Sequence, residues 1–123
     1  MVKKNILIIE DDKVLAMALQ TALSKEGYET EVSFDGEDGY EKILKKQPDL
    51  ILLDILLPKL FGLELLARVR ENKDKKISSL PAVVLTNFPE EEYLEKTEKL
   101  RADFLVKVNY SLADIVKIIK KIA

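Results

Sequence analysis

The chain contains no cysteine, no histidine and no tryptophan. Without thiols there are no disulfides, no thiolate metal sites and no cysteine nucleophile. Without imidazole, histidine acid–base catalysis and histidine-ligated zinc or iron are excluded. Any metal must rest on oxygen ligands, which favours magnesium, manganese or calcium. A basic excess is also missing: 20 Lys and Arg stand against 22 Asp and Glu, for a net charge of −2. That balance argues against a face built for nucleic acid. No apolar run approaches the roughly 20 residues of a membrane span. Met1-Val2-Lys3-Lys4 leads straight into a strand pattern rather than a signal-peptide core. A cytoplasmic location, away from membranes, is the default expectation.

What is present suits one soluble domain over residues 1–123, with 47% hydrophobic and 34% charged residues and a mass of 14.0 kDa. Strand and helix patterns alternate without repeats or linkers. Val14, Leu15, Ala18, Leu19, Ala22 and Leu23 recur at helical spacing, and Gly27 closes that helix. Residues 28–33 alternate, with Glu29 and Glu31 on one side, as an edge strand would. Asp35-Gly36 reads as a turn. Tyr40, Ile43 and Leu44 give the second helix its inner face, and it ends before Pro48. A third helix runs from about Leu63 to Glu71. Pro89 opens a fourth, with Glu90, Glu91 and Glu92 at its dipole-positive end. Ser111 caps a fifth, which buries Leu112, Ile115, Val116, Ile119 and Ile122. Five strands alternating with five helices imply an α/β doubly wound parallel sheet with right-handed crossovers.

Four strands of that sheet end on polar residues. Ile6-Leu7-Ile8-Ile9 runs into Glu10-Asp11-Asp12, and Leu50-Ile51-Leu52-Leu53 into Asp54. Ala82-Val83-Val84-Leu85 ends on Thr86, and Phe104-Leu105-Val106 on Lys107. Open parallel sheets bind ligands beyond the carboxyl ends of their strands. There, Glu10, Asp11 and Asp54 would repel one another unless a cation compensates. Magnesium suits a few carboxylates, waters and phosphate oxygens. Lys107 offers a point charge to a phosphate, and Thr86 one directed hydrogen bond. A solvated acidic loop is the plain alternative for Glu10-Asp11-Asp12, with Asp12 a helix cap. Phe104 reads first as core packing.

These segments, with Pro48-Asp49 before the third strand and Ile55-Leu56-Leu57-Pro58 after Asp54, carry a resemblance over essentially the whole chain. The chain resembles the receiver (phosphoacceptor, CheY-like) domain of bacterial two-component response regulators. The resemblance implies a flavodoxin-like (βα)5 sandwich with strand order 2-1-3-4-5. It makes Asp54 the phosphorylated nucleophile. Asp11 would ligate Mg2+ (or Mn2+) directly, Glu10 mainly through water, and the Leu56 carbonyl and Asp54 would complete the metal set. Lys107 and Thr86 would grip the phosphoryl oxygens, and Phe104 would be the aromatic partner of Thr86 in the switch. The donor would be a sensor histidine kinase or a histidine phosphotransfer protein docking at the first helix. The output would be an unidentified downstream protein, reached through the face of the fourth helix, fifth strand and fifth helix, and a phosphorylation-linked homodimer belongs to the same picture. Such a chain is a self-phosphorylating and autodephosphorylating switch, not a turnover enzyme.

Several residues depart from the family pattern. Val108 stands where proline usually follows the lysine, and a cis bond without proline costs about 2.5–4 kcal/mol. Phe61 precedes Gly62 where aspartate is common, Asn87 replaces a small residue beside Thr86, and Arg101-Ala102 replaces Gly-Ala. Leu56 and Phe88 take the two variable positions that flank the line of attack, and both are apolar. Three other readings compete. A flavodoxin-like cofactor protein needs a hydroxyl- or glycine-rich phosphate loop, and Glu10-Asp11-Asp12 would repel that phosphate. An aspartyl phosphatase or mutase needs a second acid where Leu56 stands, and a cap domain. A degenerate receiver would serve as a phosphorylation-independent docking module.

Overall fold

Strands that are apolar on both sides must be covered on both sides, and the molecule is built around that requirement. The computed structural model describes residues 3–123. Its strands are β1 (Asn5–Ile9), β2 (Glu29–Ser33), β3 (Leu50–Leu53), β4 (Ala82–Thr86) and β5 (Asp103–Val106). All pair in parallel, in the order β2-β1-β3-β4-β5 that the resemblance implies. The half-polar strand β2 lies at one edge. The helices are α1 (Lys13–Lys25), α2 (Gly36–Lys46), α3 (Gly62–Arg70), α4 (Lys75–Ser78), α5 (Glu91–Lys99) and α6 (Leu112–Ile122).

Alternate strand residues feed two cores. Ile6, Ile8, Leu50, Leu52, Val83 and Leu85 pack with Leu19 and Leu23 of α1 and Ile115 and Ile119 of α6. On the other face Leu7, Ile9, Ile51, Leu53 and Val84 meet Ile43 of α2 and Leu65, Leu66 and Val69 of α3. Each such side chain contributes about 1.5–3 kcal/mol of burial.

Five details differ from expectation, the first being Leu44 of α2, which is 39% exposed because Gly39 and Ile43 form the buried stripe of that helix. A sixth helix, the single turn α4, was not expected; Asp74 caps it by accepting the Lys76 N–H at 2.9 Å. Asp35-Gly36 is not a free turn but the start of α2, with Asp35 accepting the Asp38 N–H at 2.8 Å. Val14 is 81% exposed, because Ala16, Leu19 and Leu23 form the inner stripe of α1. Leu112 is also exposed, in the first turn of α6, where the chain has not yet reached the core.

Ser111 does cap α6, within a reciprocal capping box. The Asp114 N–H donates to the Ser111 hydroxyl at 3.1 Å, and the Ser111 N–H donates to the Asp114 carboxylate at 3.1 Å. The Ser111 N–H foremost, and the Ser111 hydroxyl after it, hold the Asp114 carboxyl below its usual range. A lowered carboxyl adds stability above its unfolded pKa and loses it as pH falls through the folded value. Loss of the N-cap hydroxyl in Ser111→Ala should lower the unfolding free energy by about 1 kcal/mol in urea titrations at neutral pH. Asp114→Asn should flatten the acid limb of the stability curve, and an unchanged acid limb would contradict this account.

Candidate functional site

The register of the sheet sets the site. Ile9 pairs with Leu53, so the next residues, Glu10 and Asp54, leave adjacent strands side by side. The Asp54 N–H donates to the Ile9 carbonyl at 3.1 Å, which carries the ladder one step past β3. On the other side Thr86 pairs with Val106, and Lys107 follows. Glu10 and Asp54 are buried, at 3% and 7% exposure.

Two buried carboxylates side by side are costly unless a cation answers them. Here it is Lys107: its Nζ lies 2.7 Å from Glu10 Oε1 and 2.9 Å from Asp54 Oδ2. The remaining oxygens accept from the backbone, Glu10 Oε2 from the Asp12 N–H at 3.1 Å and Asp54 Oδ1 from the Ile55 N–H at 2.7 Å. Burial nevertheless pushes the Glu10 carboxyl above its usual value, despite the Lys107 bond. Burial would pull the Lys107 ammonium down, but the Glu10 and Asp54 carboxylates outweigh it and raise it.

Glu10, Asp11 and Asp54 each offer one carboxylate oxygen within 4.8 Å of the others, with Asp11 exposed to solvent. The Leu56 carbonyl accepts no backbone hydrogen bond among the described residues, which leaves a further oxygen beside Asp54 without a partner. Hard oxygens, a net negative charge and an open side at Asp11 fit a divalent cation such as magnesium. Asp12 is a cap, accepting the Val14 and Leu15 N–H groups at 3.0 and 3.3 Å.

Thr86 is fully buried, and its hydroxyl accepts the Phe88 N–H at 3.3 Å. It makes no hydrogen bond to Asp54 or Lys107 among the described residues. Phe104 is half-buried against the core shared with α3. No described peptide bond is cis, so Lys107-Val108 is trans and enters a 3-10 turn over Lys107–Asn109. Val108 is 80% exposed beside the site.

Three supporting residues were not singled out as such from the sequence. A Cβ on Gly62 would lie 1.9 Å from the Asp54 carbonyl oxygen, so only glycine lets α3 start this close to the site. A Cβ on Gly36 would meet the Leu60 carbonyl oxygen at 2.0 Å, so α2 abuts the same loop. Arg70 donates to the carbonyls of Leu80 at 2.7 Å, Ser78 at 3.0 Å, Leu100 at 2.6 Å and Arg101 at 3.2 Å. It thereby joins the ends of α3, α4 and α5. Glycine beside a strand tip is a readable signal of close approach; Arg70 carries no local signal.

A family model for the response regulator receiver domain matches residues 6–120. The transcriptional regulatory protein DltR of Streptococcus agalactiae is 52% identical over 66 residues, covering 54% of this chain and 30% of that protein. The response regulator ArlR of Staphylococcus saprophyticus is 38% identical over 81 residues, covering 66% of this chain and 34% of that protein. The chain thus spans about a third of the length of these curated relatives. A CheY-like receiver domain protein from Methanospirillum hungatei superposes with a TM-score of 0.88 at 27% identity, covering 98% of this chain and 93% of that one. The chemotaxis response regulator CheY4 of Vibrio cholerae shares the fold at a TM-score of 0.88 and 23% identity, covering 99% of this chain and all of that one. The fold and the acid-lined strand edge define a receiver-type signalling module. The chain belongs to the response regulator receiver domain family, and so to two-component signalling. The family's usual glycine at Arg101 has a local reason, because Arg101 takes the left-handed conformation at φ 58°.

Lys107→Met leaves Glu10 and Asp54 buried without their shared ammonium. In metal-free buffer near pH 7 it should destabilise the protein by about 3 kcal/mol. Added Mg2+ should recover more stability in this variant than in the wild type. Equal magnesium responses in denaturant titrations would show that Lys107 and the ion do not answer the same charge.

Proposed function

We propose that the chain is a phosphorylation-dependent switch that accepts a phosphoryl group on Asp54 from a histidine kinase or histidine phosphotransfer protein. The observation that carries this reading is the Asp54 carboxylate, buried at the tip of a central strand, 2.9 Å from the Lys107 ammonium and within reach of Glu10 and Asp11. Phosphoryl transfer needs in-line placement and charge neutralisation more than covalent help. One Asp54 oxygen attacks phosphorus, the bond to the donor nitrogen breaks, and an acyl phosphate forms on Asp54. The chain has no histidine, so the phosphohistidine belongs to the partner.

Glu10, Asp11, Asp54 and the Leu56 carbonyl are the residues that would hold Mg2+ (or Mn2+). When bound, the ion supplies positive charge against the phosphoryl oxygens. Lys107 supplies a second positive charge, already desolvated and aimed at Asp54. Thr86 gives up its bond from the Phe88 N–H and donates its hydroxyl to a phosphoryl oxygen. Phe104 then repacks beside the displaced β4–α5 segment, and a partner reads that face. A swing from 1:99 to 99:1 between the two states requires about 5.5 kcal/mol of differential stabilisation. The protein acts once per phosphorylation and is reset by hydrolysis, so it is a switch rather than a turnover enzyme.

Incubation with acetyl phosphate and Mg2+ should add one phosphate to the intact mass. Asp54→Ala, and removal of Mg2+ by chelation, should each abolish the gain. A wild type that takes no phosphate would favour the phosphorylation-independent docking module instead.

The phosphorylated state should decay slowly. Leu56 and Phe88, two residues beyond Asp54 and Thr86, are partly exposed hydrocarbons that cannot orient a hydrolytic water. Time courses of the labelled protein after donor removal measure this, and loss within seconds in the wild type would refute it. Leu56→Asn should shorten the lifetime by supplying a polar group at that position.

A further inference from the structure

A second concave surface lies between α3 and α5, separate from the carboxylates. It encloses about 520 Å3, within the range of small-molecule sites. Leu63 and Ala67 of α3 form one wall, and Tyr93 and Leu100 the other. Ile55 and Leu56, the two residues after Asp54, and Phe61, 62% exposed, also line it. At the lower end Arg70 ties α3 to the last carbonyls of α5.

The charges on its rim are unequal. Lys96 and Lys99 both line the α5 wall, while Glu64 is the one acid lining the groove. Glu64 is already paired with Arg68 at 3.3 Å, and Lys99 has no ion-pair partner among the described residues. Lys96 pairs only with the exposed Glu92, an i,i+4 contact of small energy. An apolar trough with cationic groups along one wall complements an amphipathic anion: hydrocarbon or aromatic rings against Leu63, Ala67 and Tyr93, and a carboxylate or sulfonate beside the lysines.

We propose that the α3–α5 groove is a binding site for a small amphipathic organic anion, whose apolar body packs on Leu63, Ala67 and Tyr93 and whose charged end meets Lys96 and Lys99. A ligand seated there also packs on Ile55 and Leu56. The site stands without the phosphoacceptor reading, since it is measured by binding alone.

The probe is 1-anilinonaphthalene-8-sulfonate, titrated by fluorescence into the unphosphorylated protein. Saturable binding is expected, and Asp54→Ala should bind equally well. Ala67→Trp, which fills the groove, should weaken binding about tenfold or more, in line with loss of the buried apolar contact. Lys96→Gln with Lys99→Gln, both on the exposed rim and harmless to folding, should weaken it about fivefold, the size of an exposed charge contact. Ala113→Trp fills the other apolar groove, between α1 and α6, and should leave the affinity unchanged. The site assignment is overturned if Ala67→Trp binds like wild type or if Ala113→Trp is the variant that loses binding. Loss in Ala67→Trp with no effect of the lysine pair would mean that Lys96 and Lys99 do not meet the charged end and would overturn the assignment of an anion site.

Discussion

One ammonium answering two buried carboxylates is the interaction on which the rest of this structure depends. Parallel pairing of β1 and β3 in the register Ile9 to Leu53 forces Glu10 and Asp54 together at adjacent tips. In a poorly solvated place that proximity is unfavourable. Lys107 arrives from β5, two strands beyond β3, and meets both at hydrogen-bonding distance. The balance is incomplete by design of the residues present. Glu10, Asp11 and Asp54 carry three negative charges against a single ammonium, leaving two uncompensated, which a divalent ion would cancel. An acyl phosphate on Asp54 would then return one extra negative charge to the cluster. That surplus would act on nearby hydrogen-bond donors, among them the Thr86 hydroxyl, which accepts from the Phe88 N–H and keeps its own proton to donate.

Much of this was legible in the chain because it is local. An apolar run that stops on a charged residue declares both a buried strand and its polar tip, so Glu10, Asp54 and Lys107 could be named from sequence alone. The caps at Asp12 and Ser111 were visible for the same reason: a short polar side chain precedes a helical pattern. Contacts between distant segments were not visible. Nothing near Lys107 announces that it reaches Glu10 as well as Asp54. Nothing in α3 marks Arg70 as the donor to four carbonyls that lie up to 31 positions away. The single turn α4 is too short to show a period, and Val14 fits the helical spacing of α1 while facing water. Tertiary placement decides such positions, and a pattern read along one element does not contain it.

The loop after Asp54 is held from three sides. The Gly62 N–H donates to the Ile55 carbonyl at 2.8 Å, and the Gly36 N–H donates to the Pro58 carbonyl at 3.0 Å. Lys59 adds a weak exposed pair to Asp35 at 3.7 Å. Both glycines sit where any side chain would strike a backbone carbonyl, so the loop is wedged between the starts of α2 and α3. A loop so enclosed leaves the backbone after Asp54 little freedom, which suits a residue that must hold its place at a site.

The opposite holds for the segment after Thr86. Helix α5 buries only Thr97, and its N-cap Glu90 makes no side-chain capping bond. By comparison α6 buries Ile115, Val116 and Ile119 and starts with a reciprocal capping box. Arg70 fastens α5 at its C-terminal end alone. Elements with few buried side chains and weak caps open at the lowest free energy. A change of charge at Asp54 therefore meets a rigid loop on the β3 side and a lightly held one on the β4 side. Under the proposed switch, a displacement would run toward Thr86, the N-terminal turn of α5 and the half-buried ring of Phe104. The asymmetry between those two loops, more than any single residue, would give the proposed response its direction.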